Sequence, residues 1–465
     1  MGRVAQGVLA RRSIVVIGVA ALRLAVFPSA SFAQDPADGQ LDSLVKQAFA
    51  VNPAIHAAEE RTAAARARIS AAGARPDPML MAGVANLPVN SLSFSADEMT
   101  MKMVGVEQVF PYRGKLGLSE RVARRKADAA AATADSVKLA TVREVKSAYY
   151  ELAYVDQALA ITERNRGVLL DIASVAEARY SAGRGTQQEV LRANLEATRL
   201  NESANALRLE RVSALARLNS LLDRPSGTDV AAPRIPGRIA AAAVSQSASN
   251  IRFTSQSLGA SVADSPLPSL DELQAASTET SPVLRASDAM IAARRAELEL
   301  ARKDFLPDIG VSLQYGQRSG YTAAAHGAPA PRSDMVSAVV SIPIPLQKRR
   351  KQNALVSAAG SELAAVESDR AAVENSIRAQ LARLYADVEH SRTQLALYVK
   401  AILPQGRATL ASATGNYQSG TGDLTAVLTA QGTIFDYETG YYRGVADFAQ
   451  KIAELDALVG KEVLR

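Results

Sequence analysis

The sequence predicts a mainly α-helical chain that also carries strands of a membrane β-barrel, and two observations lead to this fold class. Stretches free of glycine and proline, from Leu118 to Arg166 and from Thr186 to Arg224, predict helices far longer than a compact domain needs. Short segments with alternating apolar and polar or small residues predict membrane strands. The composition agrees with long, closely packed helices, since 48% of residues are hydrophobic while aromatics make up 5% and tryptophan is absent.

The chain contains the same series of motifs twice, at an offset of roughly 230 residues. The longest of them reads Tyr180-Ser-Ala-Gly183-Arg-Gly185 in the first half and Tyr417-Gln-Ser-Gly420-Thr-Gly422 in the second. We therefore predict two repeats, 34–224 and 270–465, each with helices, two strands and two long helices. Residues 225–269 are rich in Ser, Ala, Gly and Pro, which predicts a linker or a loosely packed insertion.

Residues 1–33 are typical of a secretory signal segment. A basic start with Arg11 and Arg12 precedes an apolar stretch, and Ser31 and Ala33 supply the small residues of a cleavage site. This segment holds four arginines and no acid, so the formal charge of +6 falls to +2 without it. A nearly neutral remainder lacks the basic surface that nucleic acid requires. No apolar run of about 18 residues follows, so we expect no transmembrane helix.

Four extended segments are predicted to form membrane strands: 78–86, 99–109, 308–316 and 334–342. Apolar side chains at every second position predict a lipid-facing side. These side chains are Ile309, Val311, Leu313, Tyr315, Val336 and Val340. A half-buried strand of a soluble sheet alternates in the same way, but export and very long helices favour the membrane. Four strands cannot close a barrel and about eight leave no lumen, so a conducting barrel needs three or more copies.

Met99, Met101 and Met103 share one face of the second predicted strand, and thioether sulfur is a ligand for soft metals. Lys102 lies on the opposite face of that strand. A lysine at bilayer depth is costly against lipid, so Lys102 is expected to point into an aqueous lumen. This placement predicts that the three methionines face lipid and bind no metal.

Together these features resemble the outer-membrane efflux protein family, also called the TolC family, over nearly all of the chain after the signal segment. The resemblance implies a homotrimer in the lipid of the bacterial outer membrane. It implies a 12-stranded barrel, four strands from each chain, continued by a long antiparallel α-helical coiled-coil tunnel in the periplasm. It also implies a passive exit duct, served by a periplasmic membrane-fusion adaptor and a proton-driven inner-membrane efflux pump.

Shorter strings resemble the heavy-metal efflux branch of that family, the CzcC type. They are Arg75-Pro-Asp-Pro-Met79, Asn86-Leu-Pro-Val89, Met99-Thr-Met-Lys-Met103 and Val104-Gly-Val-Glu-Gln108. This branch implies heavy-metal cations as cargo. Two alternatives stay open: a duct of the same fold for drug efflux or type I protein secretion, and a soluble periplasmic coiled-coil adaptor without a barrel.

The two Tyr-x-x-Gly motifs are the predicted functional site. The long helices are expected to reverse direction at the glycines, because glycine adopts positive φ at little cost. In the family that the chain resembles, this turn forms the periplasmic tip, which implies a gate and a docking region for partners. The predicted site residues are Tyr180, Gly183, Gly185, Tyr417, Gly420, Gly422 and Asp423. Asp423 is predicted to be a helix N-cap, or to form a ring of carboxylates in a trimer.

The sequence contains no recognisable constellation for catalysis or for cofactor or metal binding. Cysteine is absent, and the three histidines, His56, His326 and His390, are far apart. No glycine motif for nucleotide binding occurs. We therefore expect no enzymatic activity, no cofactor and no bound metal, with energy supplied by a partner.

Overall fold

A computed structural model describes residues 36–244, 267–320 and 332–464. The predicted signal segment, 1–33, lies outside the described residues, as does His326. The described part is mainly helical and carries one four-stranded sheet, in agreement with the predicted fold class. None of its helices is long and apolar enough to cross a membrane.

The order of helices and strands occurs twice along the described residues. The first half contains α1 (Pro36–Val51), α2 (Pro53–Gly73), β1 (Met79–Ala85), β2 (Met101–Phe110), α3 (Lys115–Ser181) and α4 (Gln187–Leu221), and α5 (Gly237–Val244) follows it. The second half contains α6 (Leu270–Thr280), α7 (Pro282–Lys303), β3 (Ile309–Gln317), β4 (Met335–Ser341), α8 (Gln352–Leu397), a π-helical turn (Tyr398–Ile402), α9 (Leu403–Ser419) and α10 (Leu424–Val459). Each strand begins and ends within two residues of a predicted segment.

Caps and prolines set the boundaries of the short helices in both halves. The Asn52 side chain accepts hydrogen bonds from the first backbone N–H groups of α2, and Pro53 occupies the first helical position. In the second half, a capping box between Ser269 and Glu272 begins α6, and Pro282 begins α7. These residues stop one helix and start the next because proline lacks the N–H that a continuous helix would need.

The helix α3 is uninterrupted over 67 residues, which corresponds to a length of about 100 Å. Its antiparallel partner α4 packs against it along an alanine-rich heptad seam, in which Ala193, Ala197 and Leu218 are buried. Arg211, the one charged residue in this seam, pairs with Asp156 of α3 at 2.6 Å. The first long hairpin (α3–α4) is therefore a coiled coil.

The corresponding helix of the second half is interrupted. The helix α8 passes into the π-helical turn Tyr398–Ile402, and α9 follows with Pro404 in its first turn. Proline lacks an N–H and its ring clashes with the carbonyl four residues earlier, so a regular helix is disfavoured here. The turn supplies a substitute hydrogen bond, from the Leu403 N–H to the Tyr398 carbonyl. The π-helical turn therefore marks a local change of winding.

The four strands form one antiparallel sheet in the order β1-β2-β3-β4. Met79 pairs with Glu107, and Phe110 pairs with Ile309. All four strands therefore connect to helices at the same end of the sheet. The two halves of the chain meet at the β2–β3 pair, in the middle of the sheet.

One hydrophobic core joins the two halves in the middle of the helical part. It includes Tyr149 of α3 and Phe448 of α10, which are both fully buried. Ile239 and Ala243 of α5 belong to the same core. Of the predicted linker or loosely packed insertion, 225–269, residues 245–266 lie outside the described residues. In the described part, the short apolar face of α5 packs against α8 and α10.

Candidate functional site

The first long hairpin reverses direction at the Tyr180–Gly185 motif. Gly183 adopts a φ of 72°, in the left-handed region. Its N–H donates to the Tyr180 carbonyl at 2.9 Å, and the Arg184 N–H donates to the Arg179 carbonyl at 2.8 Å. These bonds satisfy carbonyls that the end of α3 would otherwise leave unpaired.

The second hairpin (α9–α10) reverses direction at the Tyr417–Gly422 motif in the same way. Gly420 adopts a φ of 79°. The N–H groups of Thr421 and Gly422 donate to the Asn416 carbonyl at 3.0 Å and 2.9 Å. The predicted positive φ is thus confirmed for Gly420, as it is for its counterpart in the first hairpin.

The second glycine of each motif is required for a different reason. Neither Gly185 nor Gly422 has a positive φ, so the prediction of a left-handed conformation is wrong at these two positions. A Cβ on Gly422 would lie 2.8 Å from the Asn416 Cβ and 3.0 Å from the Tyr417 N. On Gly185 the closest contact would be 3.2 Å, with Glu189. Close approach of the chain to the preceding helix selects glycine here, and the fit is tighter in the second hairpin.

Arg179 of α3 and Tyr417 of α9 hold the two hairpins together. The Arg179 guanidinium lies over the Tyr417 ring, 4.3 Å from its centroid, and donates a hydrogen bond to the Tyr417 carbonyl. The Tyr417 hydroxyl donates to Glu189 of α4 at 3.3 Å. Around the ring lies a small apolar cluster that includes Ala176 and Leu424. The tip of the protomer therefore packs as one unit.

The two motif tyrosines occupy different environments, although they hold equivalent positions in the repeats. Tyr417 is 4% exposed, whereas Tyr180 is 48% exposed. Burial raises the pKa of the Tyr417 hydroxyl, and the nearby Glu189 carboxylate raises it further. Neither Arg179 nor Glu189 was among the predicted site residues. A comparison of the two repeats could have pointed to Arg179. The equivalent position in the second repeat is Asn416, so the arginine that contacts the other hairpin is present in the first repeat only.

Asp423 lies at the N-cap position of α10, with an extended backbone. Its carboxylate makes no capping hydrogen bond. The nearby Thr425 hydroxyl, and after it the nearby Thr425 N–H dipole, hold the pKa of the carboxyl below its ordinary value. The side chain borders a groove of about 620 Å³ between α9 and α10, lined also by Thr409, Thr429 and Thr433. Asp423 thus occupies the predicted N-cap position without a capping hydrogen bond, and the ring of carboxylates stays a prediction.

The six predicted lipid-facing side chains lie on one face of the sheet, the apolar face. They are Ile309, Val311, Leu313, Tyr315, Val336 and Val340, and they are 39% to 70% exposed. Cross-strand pairs share a face, so the pairing of Val336 with Tyr315 joins the residues of β4 to those of β3. Val106 of β2 pairs with Leu313 and extends the same face. The apolar face is therefore continuous and uncovered in the single chain.

Lys102 lies on the apolar face, so the prediction that Lys102 and the six apolar side chains lie on opposite faces is wrong. Met99 precedes β2 and lies on neither face. Lys102 pairs with Gln317, which shares a face with Tyr315. Met101 and Met103 lie on the opposite face. This second face, the polar face, also carries Glu107, Ser312, Gln314 and Ser337. The Lys102 ammonium lies near the strand end, 4.8 Å from the centroid of the Phe94 ring, where a long side chain can reach beyond an apolar band.

Within the described residues, no group of three or more His, Cys, Asp or Glu side chains is arranged to hold a metal ion. His56 lies in α2, where its ring Nε2 is 2.9 Å from the Ala50 carbonyl, and His390 lies in the separate helix α8.

A protein-family model described as outer membrane efflux protein matches residues 44–224 and again residues 273–461. The two matches cover most of the chain, one in each half. The chain belongs to the outer membrane efflux protein family. Members of this family are transport channels and not enzymes. The assignment favours the channel over the soluble adaptor among the alternatives that the sequence leaves open.

This efflux protein also resembles individual proteins. Protein CyaE of Bordetella pertussis is 26% identical over 276 residues, which are 58% of this chain and 52% of CyaE, so the chain spans about half the length of that curated relative. The outer-membrane channel OprN superimposes with a TM-score of 0.72 at 19% identity, covering 91% of this chain and 90% of OprN. The outer membrane protein VceC of Vibrio cholerae gives a TM-score of 0.71 at 16% identity, covering 91% and 97%. These two similarities concern the fold.

Proposed function

We propose that this efflux protein is the outer-membrane duct of a tripartite efflux system. Three copies each supply four strands to one barrel and two long hairpins to a helical tunnel in the periplasm. A proton-driven inner-membrane pump and a periplasmic adaptor deliver the cargo, and the duct itself is passive. The observation that carries the proposal is the sheet with one continuous apolar face and one polar face, attached to helices of up to 67 residues.

The sheet supports a closed barrel in lipid for two physical reasons. Its apolar face is exposed on neighbouring strands in the single chain, and a contiguous exposed apolar patch marks a surface that contacts lipid or another protein. In addition, β1 and β4 are edge strands in the protomer, and an edge strand presents unpaired N–H and C=O groups. Pairing β4 of one copy with β1 of the next removes every edge, and the apolar face then contacts lipid while the polar face lines the lumen.

The tip is proposed to be the gate and the docking region for the adaptor or pump. Its residues are Tyr180, Gly183, Gly185, Tyr417, Gly420, Gly422 and Asp423, together with Arg179 and Glu189. An outward shift of the second hairpin would separate Arg179 from Tyr417. The π-helical turn Tyr398–Ile402 supplies a place where this hairpin can bend. Opening by such a shift of packed helices between two arrangements would widen the tunnel like an iris.

Heavy-metal cations are the proposed cargo. The strings that resemble the heavy-metal branch lie in or beside β1 and β2. Drug efflux and type I protein secretion by a duct of the same fold are the competing functions.

The test is a clean deletion strain, challenged with cobalt, zinc, cadmium, copper and silver salts beside a panel of drugs and detergents. We expect selective metal sensitivity that the wild-type gene restores. Sensitivity to drugs and detergents alone would keep the duct but contradict the metal cargo. Loss of secretion of a protein substrate, with no change in either sensitivity, would favour the secretion alternative.

A further inference from the structure

Five of the eight methionines of the chain lie on the polar face of the sheet. They are Met79, Met81, Met101, Met103 and Met335. Their positions follow from cross-strand pairing, because directly paired residues share a face. Met79 pairs with Glu107, and Met335 pairs with Gly316, which lies two residues from Gln314. The other three lie at alternate positions along the same faces of β1 and β2. Methionine is an apolar residue, and its concentration on the polar face calls for an explanation beyond packing against lipid.

Along the β1–β2 pair, each successive step of the polar face carries one methionine. Starting from the end of the sheet that connects to the helices, the pairs are Met79 with Glu107, Met81 with Gly105, Gly83 with Met103, and Ala85 with Met101. Successive steps lie about 7 Å apart, since a strand rises about 3.4 Å per residue. Each methionine in the upper three steps faces a glycine or alanine, so no bulky partner covers its thioether. The result is an ascending series of exposed or half-exposed sulfurs.

At the upper end of this series three methionines meet around Gly316. Met103 of β2 and Met335 of β4 both pair with Gly316, one from each side. The Met101 sulfur lies over the same glycine, because a Cβ added to Gly316 would lie 2.7 Å from the Met101 Sδ. The absence of a side chain at Gly316 therefore makes room for a thioether between two others.

We propose that the polar face is a thioether ladder for soft monovalent cations, Cu(I) or Ag(I), with its best binding position at Met101, Met103 and Met335. Thioether sulfur is a soft ligand that prefers Cu(I) and Ag(I) over borderline and hard ions such as Zn²⁺. A neutral thioether binds such an ion less strongly than a ring of negatively charged carboxylates would, so the ion can also leave. Several similar sites in succession suit conduction, since the ion must both enter and leave each one.

This inference deepens the proposed function and rests on it in one respect, namely that the polar face lines the lumen. It narrows the cargo from heavy metals in general to thiophilic monovalent ions. It also differs from an aspartate ring at the tip, because the ladder lies in the sheet and contains no charged ligand apart from Glu107 beside Met79.

The experiment measures Ag(I) bound to the purified full-length protein in chloride-free buffer, by equilibrium dialysis with metal analysis, and its ligands by X-ray absorption. We expect at least one tightly bound silver ion per chain with sulfur neighbours, and no comparable retention of Zn²⁺. The triple variant Met101→Leu, Met103→Leu, Met335→Leu is expected to bind silver about tenfold more weakly or worse. Exchange of methionine for leucine nearly conserves side-chain volume, so the unfolding temperature of the triple variant should stay close to that of the wild type.

Two control variants separate the ladder from general methionine chemistry. Met290→Leu, in α7, removes a methionine outside the sheet and should leave silver binding unchanged. A transplant variant keeps the triple Leu background and adds Leu80→Met, Val104→Met and Val106→Met. These substitutions place three thioethers on the apolar face. We expect the transplant to leave silver binding as weak as in the triple variant.

Unchanged silver binding in the triple variant, or full recovery in the transplant, would overturn the ladder. The proposed function is tested separately by the deletion strain. Silver binding through sulfur without any metal sensitivity of that strain would keep the ladder and contradict the metal cargo. Silver sensitivity of the strain without sulfur-bound silver would keep the duct and contradict the ladder.

Discussion

The two long hairpins have matching motifs but differ in helix continuity and in the burial of the motif tyrosine. In the first hairpin, α3 runs without interruption for 67 residues, and its tip tyrosine, Tyr180, is exposed. In the second hairpin, a π-helical turn precedes Pro404, and the equivalent tyrosine, Tyr417, is buried beneath Arg179. The first hairpin thus contains an uninterrupted helix, while the second contains a local change of winding and is held to the first by the Arg179–Tyr417 contact.

The difference shows how a few substitutions can give the two halves of a duplicated sequence different structures. At the offset that relates Tyr180 to Tyr417, Gly167 of α3 corresponds to Pro404. A glycine allows the helix to continue at a cost of about 1 kcal/mol, whereas a proline costs about 3 kcal/mol and forces a change of winding. At the same offset, Arg179 corresponds to Asn416, so the contact between hairpins exists once in each chain.

The largest expected effect is the loss of stability on truncating Tyr417, with truncation of Tyr180 as its comparison. Tyr417→Ala removes a buried ring together with its contacts to Arg179 and Glu189, and we expect the free energy of unfolding to fall by about 3 to 5 kcal/mol. Tyr180→Ala, the matched control, should change it by about 0.5 kcal/mol or less because the ring is exposed. Denaturant unfolding of the purified protein measures both. A large loss from Tyr180→Ala would show that a neighbouring subunit covers this ring.

The next largest effect concerns helix continuity. Gly167→Pro places a proline inside α3, and we expect a loss of about 3 kcal/mol, since one backbone hydrogen bond disappears and the ring clashes with the preceding turn. The reciprocal variant, Pro404→Ala, restores a donor at the existing bend and should cost less than about 1 kcal/mol. Equal losses of stability in the two variants would mean that Pro404 is not the cause of the change of winding in the second hairpin. Thermal unfolding of the two variants beside the wild type decides this.

A smaller effect is expected at the second glycine of each turn. Gly422→Ala brings a Cβ to within 3.0 Å of two backbone atoms, which predicts a loss of about 1 to 3 kcal/mol. In Gly185→Ala the nearest contacts are 3.2 to 3.3 Å, so this loss should be smaller. The comparison is made by thermal unfolding of the two single variants. A larger loss at Gly185 would contradict the tighter packing assigned to the second hairpin.

The smallest effect is the pH dependence of Asp423. Its pKa in the folded protein lies below the ordinary value of 3.8. A carboxyl with a lowered pKa contributes stability above its ordinary pKa and loses it as the pH falls through the folded value. Asp423→Asn should therefore be less stable than the wild type by a constant amount above about pH 4, and this difference should disappear as the pH falls below that value. A difference in stability that changes with pH between 5 and 8 would mean that neighbouring carboxylates raise this pKa, as a ring in a trimer would.

Much of the molecule was predictable because its signals are local. Alternation within 308–316 identifies β3, and the absence of glycine and proline after Leu118 identifies most of α3. The left-handed turns at Gly183 and Gly420 follow from the conformational freedom of glycine. The ends of the long helices were harder to predict from the sequence. The helix α3 continues through Gly167, because its packing against α4 and α10 outweighs the low helix propensity of glycine.

The sequence by itself determined which side chains share a face of each strand and where each hairpin turns, because both depend on neighbours only a few residues away. The tertiary structure alone decided that Lys102 shares the apolar face and Met103 the polar one, because this depends on the pairing of β2 with β3, about two hundred residues later in the chain. It also decided which motif tyrosine is buried, since Tyr417 is covered by Arg179 of the other half. Alternation defines two faces, and only the register between strands determines which residues of different strands lie together.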